Sequence, residues 1–309
     1  MEKDFHFYVT YALAAKAGYN NEDSNIIAYA SQYVDDNNES QYPKKGGLPQ
    51  FPFGIKFQDG FFRPIMTQSM SVKSLVYEIQ KFVYIPFHFL PGDNNQPIDK
   101  KHNKYSTTPD SKNARHLLRK ALSSGNLYWI GIALHTFADT WSHQNFTGYE
   151  EDWNSVFSWR NPFRALAPNI GHADTGHLPD EICATWNDYR FAKAQRKIDN
   201  RKRALHACKR IFQELRTARK GNLYWSYVAK DFKKIIYADD YDDRIDKIKN
   251  YLNNASLKYK KNKWLDDAVQ DREGEILYAA DNFETTHWYK FQLAAKAHLA
   301  EVMDMLKIY

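Results

Sequence analysis

The segment Leu134-His135-Thr136-Phe137-Ala138-Asp139-Thr140-Trp141-Ser142-His143 constrains this chain more than any other. His135, Asp139 and His143 recur every four residues in a run whose neighbours include Leu127, Ile130, Ile132, Leu134 and Phe137. On an α-helix a four-residue step rises about 6 Å and turns about 40°, so the three side chains share one face. The apolar neighbours predict that the helix is buried. Two imidazoles and a carboxylate are costly in an apolar interior unless something pairs with them, and a divalent cation pairs with all three. The competing expectation is a solvated polar stripe, and the scarcity of other charges along the helix argues against it.

Elsewhere the periodicity predicts an all-α fold, a single multi-helix domain built around this His/Asp metal site. Helices are expected over 4–17, 24–36 with Ser24 as cap, 71–83, from Pro109-Asp110 to 122, 126–145, 179–220, 222–253 and 275–309. Residues 41–61 are rich in Gly, Pro and aromatics and predict an irregular segment with short strands. The prolines of Ile85-Pro86-Phe87-His88-Phe89-Leu90-Pro91-Gly92 predict an extended or turning stretch. Residues 1–181 form the metal-site half, and 182–309 supply long helices packed on it. The pentapeptide Gly-Asn-Leu-Tyr-Trp at 125–129 and 221–225 has no repeat around it, and reads as coincidence or a reused helix start.

Cys183 and Cys208 are the only cysteines, too few for a disulfide framework or a thiolate zinc site. Any metal must therefore use His and carboxylate ligands. The formal net charge of +6 suits a phosphate-bearing substrate without demanding nucleic acid. The basic run from Lys193 to Arg210 reads as a solvated face. No apolar run approaches the roughly 18 residues of a membrane span. Residues 5–18 loosely mimic a signal peptide, but Glu2 and Asp4 spoil its charged start, so a cytoplasmic protein, or one exported without a cleaved signal, is expected.

Five segments offer ligands. They are Asp4-Phe5-His6, the helix end with Asp35 and Asp36, Phe87-His88-Phe89, the central helix, and the stretch from His172 and Asp174 to His177, Asp180 and Glu181. Singly each is weak: Asp180 and Glu181 alone would be first-turn acids favoured by the helix dipole. Their order resembles that of the zinc-dependent phospholipase C and single-strand nuclease superfamily, an all-helical family with clustered zinc ions that cleaves phosphate esters. The resemblance spans about residues 4–181. The chain also resembles an uncharacterised bacterial family marked by Ala-Ser-Gln-Tyr-Val-Asp-Asp and Pro-Phe-His-Phe-Leu-Pro-Gly segments.

The superfamily resemblance implies that Asp35, His88, His135 and Asp139 hold one metal, and that Asp139 bridges to a second shared with His6. His143 joins the 172–181 segment at a third, where His177 and Glu181 fit by spacing and His172 and Asp174 by closeness to glycine. Asp36 is implied as an orienting group or base, with Asp35 beside it. Phe53, Phe61 and Phe89 are implied as contacts for a base or an acyl chain. There are departures. Three residues, with no proline, separate Asp139 from His143, where the superfamily has five residues and a proline. The family's N-terminal Trp ligand is missing, and Asp4 is the implied substitute unless that metal is lost.

The expectation is thus a metal-dependent hydrolase, a phosphodiesterase using a metal-activated water on a phosphate-ester small molecule, lipid head group or nucleotide. One to three ions are expected, zinc first and manganese or iron next. The alternative is a non-catalytic helical protein in which the same residues hold a structural metal or a buried polar network. No adjacent His-Asp pair, Gly-x-Ser-x-Gly elbow or phosphate-cradling glycine loop supports another hydrolase class.

Overall fold

The computed structural model describes residues 1–38, 60–69, 75–92, 97–98, 100–156, 169–273 and 276–307, with short strands at 44–45, 48–49 and 55–57. The fold is mainly helical. Its axis is α6, Leu127–Ser142, whose start is capped by the Asn126 side chain. From Ile130 onward every residue of α6 is buried. Around it pack α2 (Asn21–Asp36), α5 (Lys112–Ser124), α7 (Asn200–Arg219) and α11 (His287–Leu306). A polar ladder can sit at the centre of such a bundle because α6 is sheathed in apolar side chains on its other faces.

α2 and α6 cross at Gly131. A Cβ there would lie 2.4 Å from the Ile27 carbonyl oxygen and 2.6 Å from Ala30 Cβ. Only glycine permits this approach, and the approach brings the end of α2 against the ladder. One core cluster runs from Met1 and Phe5 through Trp141 to Trp288 and Val302, so both halves of the sequence contribute to the same interior.

Two of the expected helices contain π turns. The first helix is a π turn over Asp4–Val9 continued as α1, Thr10–Ala17. The second is α3 (Tyr77–Ile79), a π turn over Gln80–Tyr84, then α4 (Ile85–Phe87). Residues 85–87 are therefore helical, not extended. A π turn widens the coil ahead of Pro86, and this relieves the clash between its ring and the preceding turn. Residues 71–74 of the expected helix lie outside the described residues.

Other boundaries differ for local reasons. Asn20, not Ser24, caps α2, its side chain accepting from the Asp23 amide at 2.8 Å. α5 starts at Lys112, capped by Ser111, because Asp110 has φ 53° and cannot continue a helix. The expected long helix over 179–220 is helical only from Asn200; before it, β5 (Thr185–Asn187) and β6 (Lys197–Asp199) form an antiparallel hairpin. Trp186 faces Ile198 across that hairpin and packs in a small cluster with Phe89, Phe146 and Val156. Tertiary burial of one tryptophan thus overrides the helical pattern. The 222–253 stretch is two helices, α8 (Trp225–Ile236) and α9 (Tyr241–Leu252), because Asp240 caps a new start. Each copy of the repeated pentapeptide leads into a helix, α6 and α8.

The expected last helix begins instead as a strand. After α10 (Lys263–Ala268), β7 (Val269–Glu273) pairs with β8 (Ile276–Ala279), and β8 runs parallel to β3 (Ile55–Phe57), which pairs with β4 (Gly60–Phe62). A further small pair, β1 (Lys44–Lys45) and β2 (Leu48–Pro49), completes the irregular segment. Among the described residues, no helix is long and apolar enough to cross a membrane.

Candidate metal centre

The ladder faces inward from α6. His135 and Asp139 are fully buried and His143 nearly so, His143 taking the C-cap position. Three other segments converge on them: the first π turn brings His6, the end of α2 brings Asp35, and the residue after α4 brings His88. Both π turns lie at ligand-bearing segments, where an extra residue in the turn re-aims the side chains that follow.

The resulting distances suit one cation. His135 Nε2 lies 3.2 Å from His88 Nδ1 and 3.1 Å from Asp139 Oδ2. His88 Nδ1 is 3.3 Å from the same oxygen. Asp35 Oδ1 stands 3.7 Å from His135 Nε2 and 3.9 Å from His88 Nδ1. Ligand atoms about 2.0–2.1 Å from a tetrahedral ion stand about 3.3 Å from one another, so the four atoms are spaced as a ligand set.

The opposite ring nitrogens explain why the lone pairs point there. His135 Nδ1 donates to the Ser31 carbonyl, His88 Nε2 to that of Thr67, His143 Nδ1 to that of His88 and His172 Nδ1 to that of Gly176, each at 2.8 Å. A carbonyl only accepts, so in a neutral imidazole each bond fixes the tautomer and puts the other nitrogen's lone pair on the side of the carboxylates. His6 stacks on His135 with ring centroids 3.9 Å apart, and neither of its buried nitrogens has a hydrogen-bond partner. His6 Nε2 lies 3.1 Å from Asp139 Oδ1, the oxygen that the first set leaves over. A buried imidazole beside a carboxylate, with no well-aligned hydrogen bond, fits a site for a cation.

A second set lies on the other side of Asp139. His143 Nε2 is 3.0 Å from Asp180 Oδ1, and His172 Nε2 is 3.0 Å from Asp180 Oδ2. Between the sets stands the α-amino group of Met1, 2.6 Å from Asp139 Oδ1 and 3.0 Å from Asp180 Oδ1. Burial disfavours this ammonium, but Asp139, Asp180 and Asp35 outweigh it and push its pKa up to about 11. It bridges carboxylates of both sets, as a metal cation would.

The electrostatics favour the metal-binding protonation state at His6, His135, His143, Asp139 and Asp180; at His172 burial would lower the imidazole, but the Asp180 carboxylate outweighs it and raises the group above its ordinary value. Burial, together with the neighbouring Met1 ammonium, lowers His6 to about 4. Burial and His6 hold His135 well below its ordinary value, and burial also lowers His143. These imidazoles are therefore neutral, the form that binds metal. Burial would raise Asp139 and Asp180, but the Met1 ammonium and the surrounding histidines hold both well below the usual carboxylate range. Asp35 is pushed well above that range, by burial first and then by Asp139. With three carboxylates converging, a further positive charge is needed to keep all of them ionised.

The other expected site residues fall elsewhere. Asp36 lines the cleft over the site but pairs with Lys261 Nζ at 3.2 Å and with Gln32 Nε2 at 3.3 Å. His177 is exposed on the cleft wall and Glu181 is exposed outside it, so the structure brings neither into the cluster. Asp174 is buried and accepts from the Val156 amide at 2.7 Å. Asp4 is not in the cluster either, because the buried Arg244 guanidinium donates to it. Phe89 lines the cleft, stacked on His143 with centroids 4.4 Å apart, and Gly171 (φ 53°) leaves room for its ring. Phe61 is 62% exposed and away from the cleft, and Phe53 lies outside the described residues.

Asp180 is one of the carboxylates that the 172–181 stretch offers, with no place in the ligand sets that the resemblance implies, and the structure brings it to His143 and His172; residues 179 and 180 lie in turns and not in a helix. The contact of the Met1 amine with both carboxylates has no signal in the sequence. Neither a curated protein nor a solved structure matches the chain. A family profile described as a family of unknown function (DUF6765) matches residues 1–306, and the chain belongs to that family.

Proposed function

We propose that this protein is a metal-dependent hydrolase of phosphate esters, acting on phosphodiesters with a metal-activated water. The observation that carries the reading is the convergence of carbonyl-locked histidine lone pairs and buried carboxylates at the floor of an open cleft. A structural site is closed by protein ligands, whereas a catalytic one keeps a position open to water. Here Asp35, His88, Asp139, His143, His172 and Asp180 border a cleft of about 730 Å³.

Asp35, His88, His135 and Asp139 would hold one ion, and His143, His172 and Asp180 another. His6 and Asp139 Oδ1 stand ready for a third or for a bridging position. Histidine with carboxylate suits zinc first, and manganese or iron next. Bound ions would lower the pKa of their water towards about 7 and neutralise phosphoryl oxygens. Around them the chain supplies the rest. Lys3 and Lys261 place ammonium groups on the cleft wall for non-bridging oxygens. Asp36, paired with Lys261, is the carboxylate beside the cluster that takes the proton of the entering water. Phe89, Tyr84, Ile170 and Tyr241 give the ester an apolar wall.

Elemental analysis of the purified protein, paired with hydrolysis of bis(p-nitrophenyl) phosphate before and after chelation, tests this. Metal above one ion per chain, with turnover lost on chelation and restored by zinc, is the expected result. A chain that holds metal but turns over no phosphodiester would identify the centre as structural. A chain that holds none would end the metal reading.

A further inference from the structure

Arg244 lies on α9, in the half of the chain remote from the ligand motifs, and its side chain is almost wholly buried. Its Nη1 donates to Asp4 Oδ2. Its Nη2 lies 2.9 Å from Cys183 Sγ. The other Asp4 oxygen accepts from the Phe5 amide at 2.8 Å, inside the π turn that carries His6. Cys183 ends the stretch that carries His172 and Asp180, and its thiol reaches the Ala238 and Asp239 carbonyls at 3.7 and 3.6 Å, in the turn ahead of α9.

One guanidinium therefore ties together two segments far apart in sequence. One leads into the first ligand set through His6, and the other supplies the second set. The two segments meet where the Met1 amine, three residues before Asp4, stands 3.0 Å from Asp180. Arginine suits the task because its planar fork serves two acceptors in fixed directions, which a lysine ammonium on a flexible stem does not. Stability alone does not call for the pair, since buried ion pairs are commonly replaceable by apolar side chains.

We propose that Arg244 is the positioning residue of the centre: it holds the Asp4–Val9 turn and the 172–183 loop in one register, so that both ligand sets close around cations. This rests on the reading of the cluster as a metal centre. Its direct ligands are unchanged in every variant below.

The test uses the full chain, with zinc as the probe. Asp4→Asn/Arg244→Met removes both charges together, leaving no unpaired buried ion. Zinc per chain is measured by elemental analysis, zinc affinity by competition with a chromophoric chelator, and the melting temperature of the metal-free protein by circular dichroism. The expected result is a metal-free melting temperature close to wild type, with affinity at the 172–183 set weakened about 10–100-fold. Affinity and stoichiometry equal to wild type overturn the proposal. Should the double variant fail to fold, Arg244→Lys carries the test, because it keeps the charge beside Asp4 without the fork to Cys183. Affinity reduced at one set supports the proposal, and unchanged affinity overturns it. A wild-type chain that binds no zinc sinks the metal centre and this role together. A wild-type chain that binds zinc while the variants bind identically sinks the role of Arg244 alone.

Discussion

The two ligand sets are built differently. The set around His135 stands on helices: His88, His135 and Asp139 are almost wholly buried and backed by α2, α4 and α6, with Asp35 at the end of α2 exposed by 28% on the cleft side. The set around Asp180 stands mainly on a loop with a single 3-10 turn, Ala173–Thr175, and there His172 is 20% and Asp180 15% exposed. Side chains on helices are held to narrower geometry than side chains on loops, because both backbone and rotamers are locked by packing. If the cluster is the metal centre proposed above, the contrast predicts that the helical set holds its ion more firmly and that the loop set exchanges more readily.

Asp139 links the two sets, so its loss is expected to erase the contrast. Asp139→Ala should strip metal from both sides, because it removes the carboxylate oxygens nearest His135 and His6 and one of the three acceptors around the Met1 amine, the others being Ser142 and Asp180. A drop of more than one ion per chain by elemental analysis is the expected outcome, and retention of full metal would break the comparison.

The next effect separates the helical side by pH. His298 on α11 donates through Nε2 to the Pro86 carbonyl at 3.0 Å and lies 3.3 Å from Thr136 Oγ1, behind the helices that carry His88 and His135. Burial lowers it to about 4. Its unfolded value is near 6.5, so its contribution is complete above that pH and is lost as pH falls towards 4, in total about 3 kcal/mol. Urea denaturation of the metal-free chain should lose that much more stability between pH 7 and pH 4 in wild type than in His298→Gln. Equal losses would show that the helical side has no such buttress.

His172→Ala should touch the loop set alone. Zinc there should weaken by at least the roughly 10–100-fold that losing an outer-shell partner costs, while the helical set keeps its ion. Chelator competition resolves the two classes, and loss of both ions would merge the sets into one. The smallest effect is expected for His177→Ala. Exposed and outside the cluster, it should change metal content not at all and stability by less than about 0.5 kcal/mol.

The ladder was legible because helical spacing is a local property: four-residue steps in an apolar run dictate both the helix and its inward face. The all-α class followed from the same periodicity along the chain. What failed were the places where a distant partner decides. Trp186 pulled a helical pattern into a hairpin, Asp240 cut one helix into two, and β8 took residues from an expected helix to pair with β3. Which carboxylate of the 172–181 stretch joins the cluster stayed open for the same reason, since the place of Asp180 depends on His143 and His172 rather than on its neighbours in sequence.

The sequence by itself determined that a polar ladder of His135, Asp139 and His143 lies on one face of an apolar helix within a mainly helical chain. Only the tertiary structure decided which groups answer that ladder: His6 delivered by a π turn, His88 by a helix that tolerates Pro86, Asp180 by a loop, and the Met1 amine between them. The reason is physical. Periodicity encodes the direction of a side chain relative to its own backbone, but convergence depends on how separate backbones pack. Close approaches such as Gly131 against Ile27, and buried ties such as Arg244 to Asp4, set that packing.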